Sequence, residues 1–180
     1  MSRIPSHRLS DAPPASRALL EEIVQFSPTG RLLNLHAQMA HAPAVLEAYV
    51  GLRRATANLG TLDQPVRAAL MLASAAPDQS EYALAVISTL ALRAGWGSDQ
   101  VRALRSGGLT GEPTVDALVA VVREAASDHG RVSDTTWKQA IVIGWTDQEL
   151  AEAFAYVGLA IFTSYFLNYA GTELDLPIGV

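Results

Sequence analysis

The sequence predicts an all-α protein, and three observations carry that prediction. Apolar residues recur at helical spacing almost from one end of the chain to the other. No segment alternates β-branched and polar residues between hairpin turns. Proline, glycine and small capping residues mark the ends of the apolar-periodic segments.

Taken in order, residues 16–26 place Leu19, Leu20, Ile23 and Val24 on one stripe, and Ser27-Pro28-Thr29-Gly30 supplies the breakers that end this first helix. Residues 32–40 form a short second helix. His41-Ala42-Pro43 opens a longer one through Asn58, with Pro43 suited to a first turn and Asn58-Leu59-Gly60 as its stop. Asp63 is placed to cap the next helix with Pro65 just inside it, and Val66, Leu70, Met71 and Ala73 form its apolar face as far as Pro77. Asp78 is the expected cap of the following helix, residues 79–94, which Gly95 closes. Gly97-Ser98-Asp99 starts a short helix through Arg105, and Ser106-Gly107-Gly108 reads as a hinge within one domain rather than a boundary between two. Three more helices follow over residues 113–127, 133–143 and 146–169, the last two capped by Ser133 and Thr146. The final helix has a wide apolar face with aromatics at Phe154, Tyr156, Phe162, Tyr165, Phe166 and Tyr169. Ala94-Gly95-Trp96-Gly97-Ser98-Asp99-Gln100 and Ile143-Gly144-Trp145-Thr146-Asp147-Gln148-Glu149 share one pattern, a helix exit followed at once by a newly capped helix.

Composition narrows the function classes. A chain of 180 residues suffices for one domain that buries about two-thirds of its extended-chain surface. We read residues 16–180 as that domain and residues 1–15 as a flexible or oligomer-clasping arm. With 49% hydrophobic and 17% charged residues the chain is globular in type, and its apolar runs at 115–122 and 154–166 are interrupted by Asp116, Gly158, Thr163 and Ser164, as suits buried helices rather than a membrane span. A net charge of −5, with Lys138 the one lysine, argues against a nucleic-acid partner. The amino terminus lacks the apolar segment of a secretory signal, so a cytoplasmic protein is expected. No glycine-rich phosphate loop follows a strand, so no nucleotide cofactor is implied. His36 and His41 are five apart and diverge around a helix, and His7 and His129 are remote, so no metal site is expected. The chain has no cysteine, which excludes chemistry through a Cys-x-x-Cys pair whatever the fold.

The run Ser80-Glu81-Tyr82-Ala83, followed four residues later by Ile87 and closed by Ala91-Leu92-Arg93-Ala94-Gly95, resembles the active-site helix of the carboxymuconolactone decarboxylase and alkylhydroperoxidase-D superfamily. The likeness extends over about residues 33–177. Upstream, Asn34 and the stretch Ala40-His41-Ala42-Pro43, continuing through Leu46 to Tyr49, are similar to the family's Asn…Ala-His-x-Pro-x-x-Leu-x-x-Tyr segment. Downstream, the segment from Trp145 to Leu176 resembles its Gly-Φ-Ser-Asp-x-Glu helix, with a continuation near Asn168. The resemblance implies an AhpD-like helical domain that assembles as a homo-oligomer, a dimer, trimer or hexamer.

It also implies a degenerate site. Redox members carry a Glu, two Cys and a His as a proton relay, and the matching positions here are Ala68, Ser80, Ala83 and Ile87. The last three are spaced i, i+3, i+7 and share a helical face, now bearing a hydroxyl, a methyl and a branched alkyl group. Ser80 lacks a base in reach and reads as helix surface. Only Glu81 and Tyr82 survive from the local motif, and His41 matches the upstream element, where it would line a pocket mouth or cap a helix. Two readings follow. In the first, the protein is no peroxidase, takes no cofactor, and binds a small organic ligand or serves in assembly. In the alternative, it is a cofactor-free decarboxylase-type enzyme in which Glu81, Tyr82 or His41 moves a proton. The aromatic row from Phe154 to Tyr169 could wall an apolar cavity, but reads first as core or subunit contact.

Overall fold

The computed structural model describes residues 2–26 and 30–176, and among these there is no strand. Nine α-helices follow one another among the described residues: α1 (Pro14–Phe26), α2 (Asn34–Met39), α3 (Pro43–Leu59), α4 (Gln64–Ala75), α5 (Glu81–Arg93), α6 (Ser98–Arg105), α7 (Pro113–Ser127), α8 (Asp134–Ile143) and α9 (Asp147–Ala170), with a 3₁₀ turn at Ala76–Asp78. The all-α expectation holds, and most helix ends fall within two residues of those the sequence predicts. Of the expected breakers after α1, Ser27, Pro28 and Thr29 lie outside the described residues.

Helix α4 is the axis of the core. Its Ala69, Leu70, Leu72, Ala73 and Ala75 are fully buried, and α5, α6, α7 and α9 all pack against it. The small side chains let four helices approach one another closely, and dense packing of this kind supplies most of a helical domain's stability. Helix α9 is long and apolar enough, by length and composition alone, to cross a membrane, and half of its apolar window is buried. That inner face, with Leu150, Ala153, Val157, Ala160 and Leu167, is the core itself.

Two predicted caps are not made as expected. Asp63 stands at the N-cap of α4 without a capping hydrogen bond, although Pro65 occupies the first turn. Asp78 does not cap α5, because Pro77 draws Ala76–Asp78 into the 3₁₀ turn and Gln79 takes a left-handed φ of 52°. The capping role passes to Ser80, which accepts from the Ala83 amide at 3.4 Å and is buried rather than on the helix surface. Gly60, after α3, is needed for space and not for its backbone angle. A Cβ there would lie 2.4 Å from the Thr56 carbonyl oxygen and 2.7 Å from Glu152 Oε1.

The repeated exit pattern is one device built twice. Gly95 and Gly144 both have a left-handed φ, of 104° and 118°. The amides of Trp96 and Trp145 donate back to Ala91 and Ala140, each at 3.1 Å. Their indole nitrogens donate to the first-turn carbonyls of Pro65 and Thr114 at 2.7 and 2.8 Å. Gln100 Oε1 then accepts from the Gly97 amide at the start of α6, and Thr146 and Glu149 form a full capping box on α9. Every partner sits at the same offset along the chain, so the same turn is used twice.

The amino-terminal arm lies along its own chain. The Arg3 amide donates to Ala170 and its guanidinium to Tyr169, while the His7 amide donates to Ala37. The carboxyl-terminal segment meets it there, with the Glu173 amide donating to Ser2 Oγ and Thr172 Oγ1 donating to Gln38 at 2.6 Å.

Candidate functional site

Helices α3, α4, α5 and α9 do not close completely on one another. Between them lies a partly enclosed cavity of about 220 Å³. Its α5 wall is set by spacing: Ala83, Val86, Ile87 and Leu90 recur at i, i+3, i+4 and i+7 and present one apolar face. Ala68 and Met71 of α4 oppose them, and Leu159 and Leu167 of α9 complete the apolar part. Tyr49 and Arg53 of α3 and Gln64 and Arg67 in the first turn of α4 give the cavity a charged, polar stretch, and Tyr82, Tyr156 and Thr163 add hydroxyls from α5 and α9. Mostly apolar walls with a few convergent polar groups are the usual make-up of a small-molecule site.

Of the positions matched to the family relay, Ala68, Ala83 and Ile87 meet in this cavity. Ser80 does not, since its hydroxyl caps α5 instead of facing the space.

The three candidate proton carriers are separated. Tyr82 is buried and lines the cavity. Its hydroxyl donates to Asp175 Oδ1 at 2.6 Å and accepts from the Leu35 amide at 3.4 Å. Burial first, and the Asp175 carboxylate second, push its ionisation far above the ordinary phenol range, so it stays protonated. Glu81 is exposed in the first turn of α5 and does not line the cavity, where its charge suits the helix dipole. His41 is exposed too, its Nε2 2.8 Å from the Pro5 carbonyl oxygen and its ring centroid 3.9 Å from that of His7, the two planes tilted by 32°. The family-matched histidine thus pins the amino-terminal arm.

A polar cluster not singled out by sequence reasoning stands in their place. His36 of α2, 5% exposed, has Nε2 3.3 Å from the Tyr49 hydroxyl, and Arg53 donates to that same oxygen at 3.3 Å. The guanidinium carbon of Arg53 lies 5.8 Å from the centroid of the Tyr49 ring. Burial, helped by the Arg53 charge, pulls His36 down to about 3, so it is neutral at any ordinary pH. Tyr49 and Arg53 are one helical turn apart, a signal present in the sequence. That His36 reaches them depends on the angle between α2 and α3, which no spacing reveals.

On the α9 side, Tyr156 donates to Glu152 Oε1 at 3.0 Å and is pushed up to about 12, by burial first and by that carboxylate second. Glu152 also accepts from the Thr61 amide and hydroxyl and the Leu62 amide. These bonds outweigh its burial and keep it below the usual carboxylate range. The rest of the aromatic row does not wall this cavity. Phe162, Tyr165, Phe166 and Tyr169 line an open apolar groove on the outside of α9, with Val45 and Ile161. Among the described residues no group of His, Asp or Glu could hold a metal ion.

No protein-family model matches the sequence, and no curated protein is significantly similar to it. The fold is nevertheless shared with solved structures. One is an uncharacterized peroxidase-related protein with an alkylhydroperoxidase AhpD core, from Ralstonia eutropha JMP134. It superposes with a TM-score of 0.85 at 17% identity, over 97% of this chain and 92% of that one. The debrominase Bmp8, in a cysteine-to-alanine variant in complex with 2,3,4-tribromopyrrole, gives 0.80 at 15% identity, over 97% and 92%. An uncharacterized peroxidase-related protein from Silicibacter sp. TM1040 gives 0.77 at 11% identity, over 98% and 93%. Agreement over nearly the whole of each chain, with the all-α order and the α5 cavity already described, gives this chain the alkylhydroperoxidase AhpD-like fold.

Proposed function

We propose that this protein binds a small organic molecule in the cavity between α3, α4, α5 and α9, and that it does so without thiol chemistry. The observation that carries the reading is the fate of the family's relay positions. Ala68, Ala83 and Ile87 have no nucleophile, acid or base among them, yet they still border a cavity of about 220 Å³ that larger side chains could have filled. At about 30 Å³ of liquid volume per water, that space equals roughly seven waters, or one ring with a small substituent. The Bmp8 variant supports the reading by analogy, since that protein is in complex with a halogenated pyrrole although a cysteine has been replaced by alanine.

Self-assembly belongs to the same proposal. Phe154, Tyr165 and Tyr169 are between 58% and 72% exposed along the outer face of α9, and a homo-oligomer would cover them. The alternative of a proton-transfer enzyme built on Glu81, Tyr82 and His41 gains nothing from the geometry. It requires two of these groups in one cavity, and Tyr82 alone lines it.

Native mass spectrometry of the freshly purified protein, compared with its denatured mass, tests the reading. A defined oligomer carrying a reproducible extra mass, lost in Ala68→Leu, is the expected result. An extra mass that Ala68→Leu retains would place the ligand elsewhere and overturn the assignment of this cavity.

A further inference from the structure

The polar end of the cavity offers hydrogen-bond donors and positive charge with no carboxylate to answer them. We infer that the Tyr49–Arg53 end receives the anionic head of a small organic acid, a single carboxylate on a ring-sized apolar body that lies against Ala68, Met71 and Ile87. This inference rests on the reading of the cavity as a ligand site and adds the chemical class of the ligand.

The argument begins with the proton on His36. The ring is neutral, so one nitrogen carries hydrogen, and Nδ1 is buried with no partner. A buried N–H without an acceptor is the arrangement folded proteins avoid most, so the hydrogen belongs on Nε2, which donates to the Tyr49 oxygen 3.3 Å away. Arg53 donates to the same oxygen. With both acceptor positions taken, the Tyr49 oxygen keeps only its own hydrogen to offer, and among the described residues nothing accepts it. Tyr49 lines the cavity, and an acceptor inside the cavity completes its bonding.

Charge points the same way. Arg53 and Arg67 both line the cavity, and neither is ion-paired among the described residues, although Arg54 beside Arg53 binds Glu22 at 2.8 Å. The neighbouring carboxylates are engaged elsewhere. Glu152 holds Thr61, Leu62 and Tyr156, and Asp175 holds Tyr82 and the Asn34 amide. Arg53 is also exposed, so the head group enters at the mouth and keeps part of its hydration. A planar guanidinium with a phenol beside it matches the two oxygens of a carboxylate.

The test compares benzoate with benzyl alcohol, a neutral probe of similar shape, by calorimetric titration of the intact protein at neutral pH. Benzoate is expected to bind roughly tenfold or more tighter than benzyl alcohol. Arg53→Gln, a change at an exposed side chain, should remove that advantage, and Tyr49→Phe should reduce benzoate binding several-fold. Equal binding of both probes, or benzoate binding indifferent to Arg53→Gln, would overturn the organic-acid class while leaving the cavity as a ligand site. Failure of both probes to bind at about 10 mM, weaker than roughly −3 kcal/mol, would overturn the cavity reading along with it.

Discussion

Tyr82 and Asp175 join the first turn of α5 to the carboxyl-terminal segment through a hydrogen bond of 2.6 Å, so the tyrosine that survives from the family motif acts as an anchor. Asp175 carries the link onward, accepting from the Asn34 amide at the start of α2 with its other oxygen at 2.9 Å. Removing the phenol oxygen in Tyr82→Phe leaves Asp175 half-exposed and able to turn to water, so the cost should be moderate, about 1–2 kcal/mol of unfolding free energy. Hydrogen exchange over residues 171–176 should quicken in the same variant. A stability change near zero with unchanged exchange would show that the bond does not hold the segment.

His36 makes stability depend on acid. Its folded value of about 3 lies below the ordinary histidine value of 6.5, so the unfolded chain binds the proton more readily between the two. The neutral ring's contribution is therefore complete above pH 6.5 and is lost as pH falls toward 3. Between pH 7.5 and pH 5 this one group should lower the unfolding free energy by about 2 kcal/mol. Denaturant titrations at the two pH values, on the native protein and on His36→Gln, measure it, and the variant should lose that increment. Parallel pH curves for the two proteins would contradict the assignment.

Two glycines, one inside α3 and one just after it, should respond oppositely. Gly60→Ala forces a methyl against the Thr56 carbonyl and Glu152, the residue that fastens the loop before α4, and should cost about 1–3 kcal/mol. Gly51 lies inside α3 with nothing within 4 Å of an added Cβ, so Gly51→Ala should raise stability by about 0.5–1 kcal/mol. Thermal melts of the two variants suffice, and a neutral Gly60→Ala would mean that Glu152 moves without consequence.

Without cysteine, the protein should show no dithiol-dependent reduction of an alkyl hydroperoxide above background. A rate above background that Ser80→Ala or Glu81→Gln abolishes would contradict this.

The sequence disclosed the fold more fully than the site, for physical reasons. Helix ends are local, written in residues such as Ser133, Thr146 and the Gly-Trp exits, and nearly all of these work as spacing suggests. The caps of α4 and α5 are the exceptions, since Asp63 makes no capping hydrogen bond and Pro77 and Gln79 reshape the turn before Ser80. The cavity is a tertiary object. Its family-matched walls, Ala68, Ala83 and Ile87, were legible from one helix face and the family resemblance. Its polar end joins His36 to Tyr49 across a helix junction, and no periodicity encodes that meeting. Conversely, Glu81 and His41 looked functional because they match motif positions, yet burial and direction assign them to solvent and to the amino-terminal arm.

The most direct measurement of the central claim is a methyl-resolved NMR titration of the protein with benzoate. The account predicts concentration-dependent shifts at the methyl groups of Met71, Ala83 and Ile87, which border the cavity on two helices. Shifts confined to Val45 and Ile161, in the open groove of α9, or no shifts at all, would contradict it.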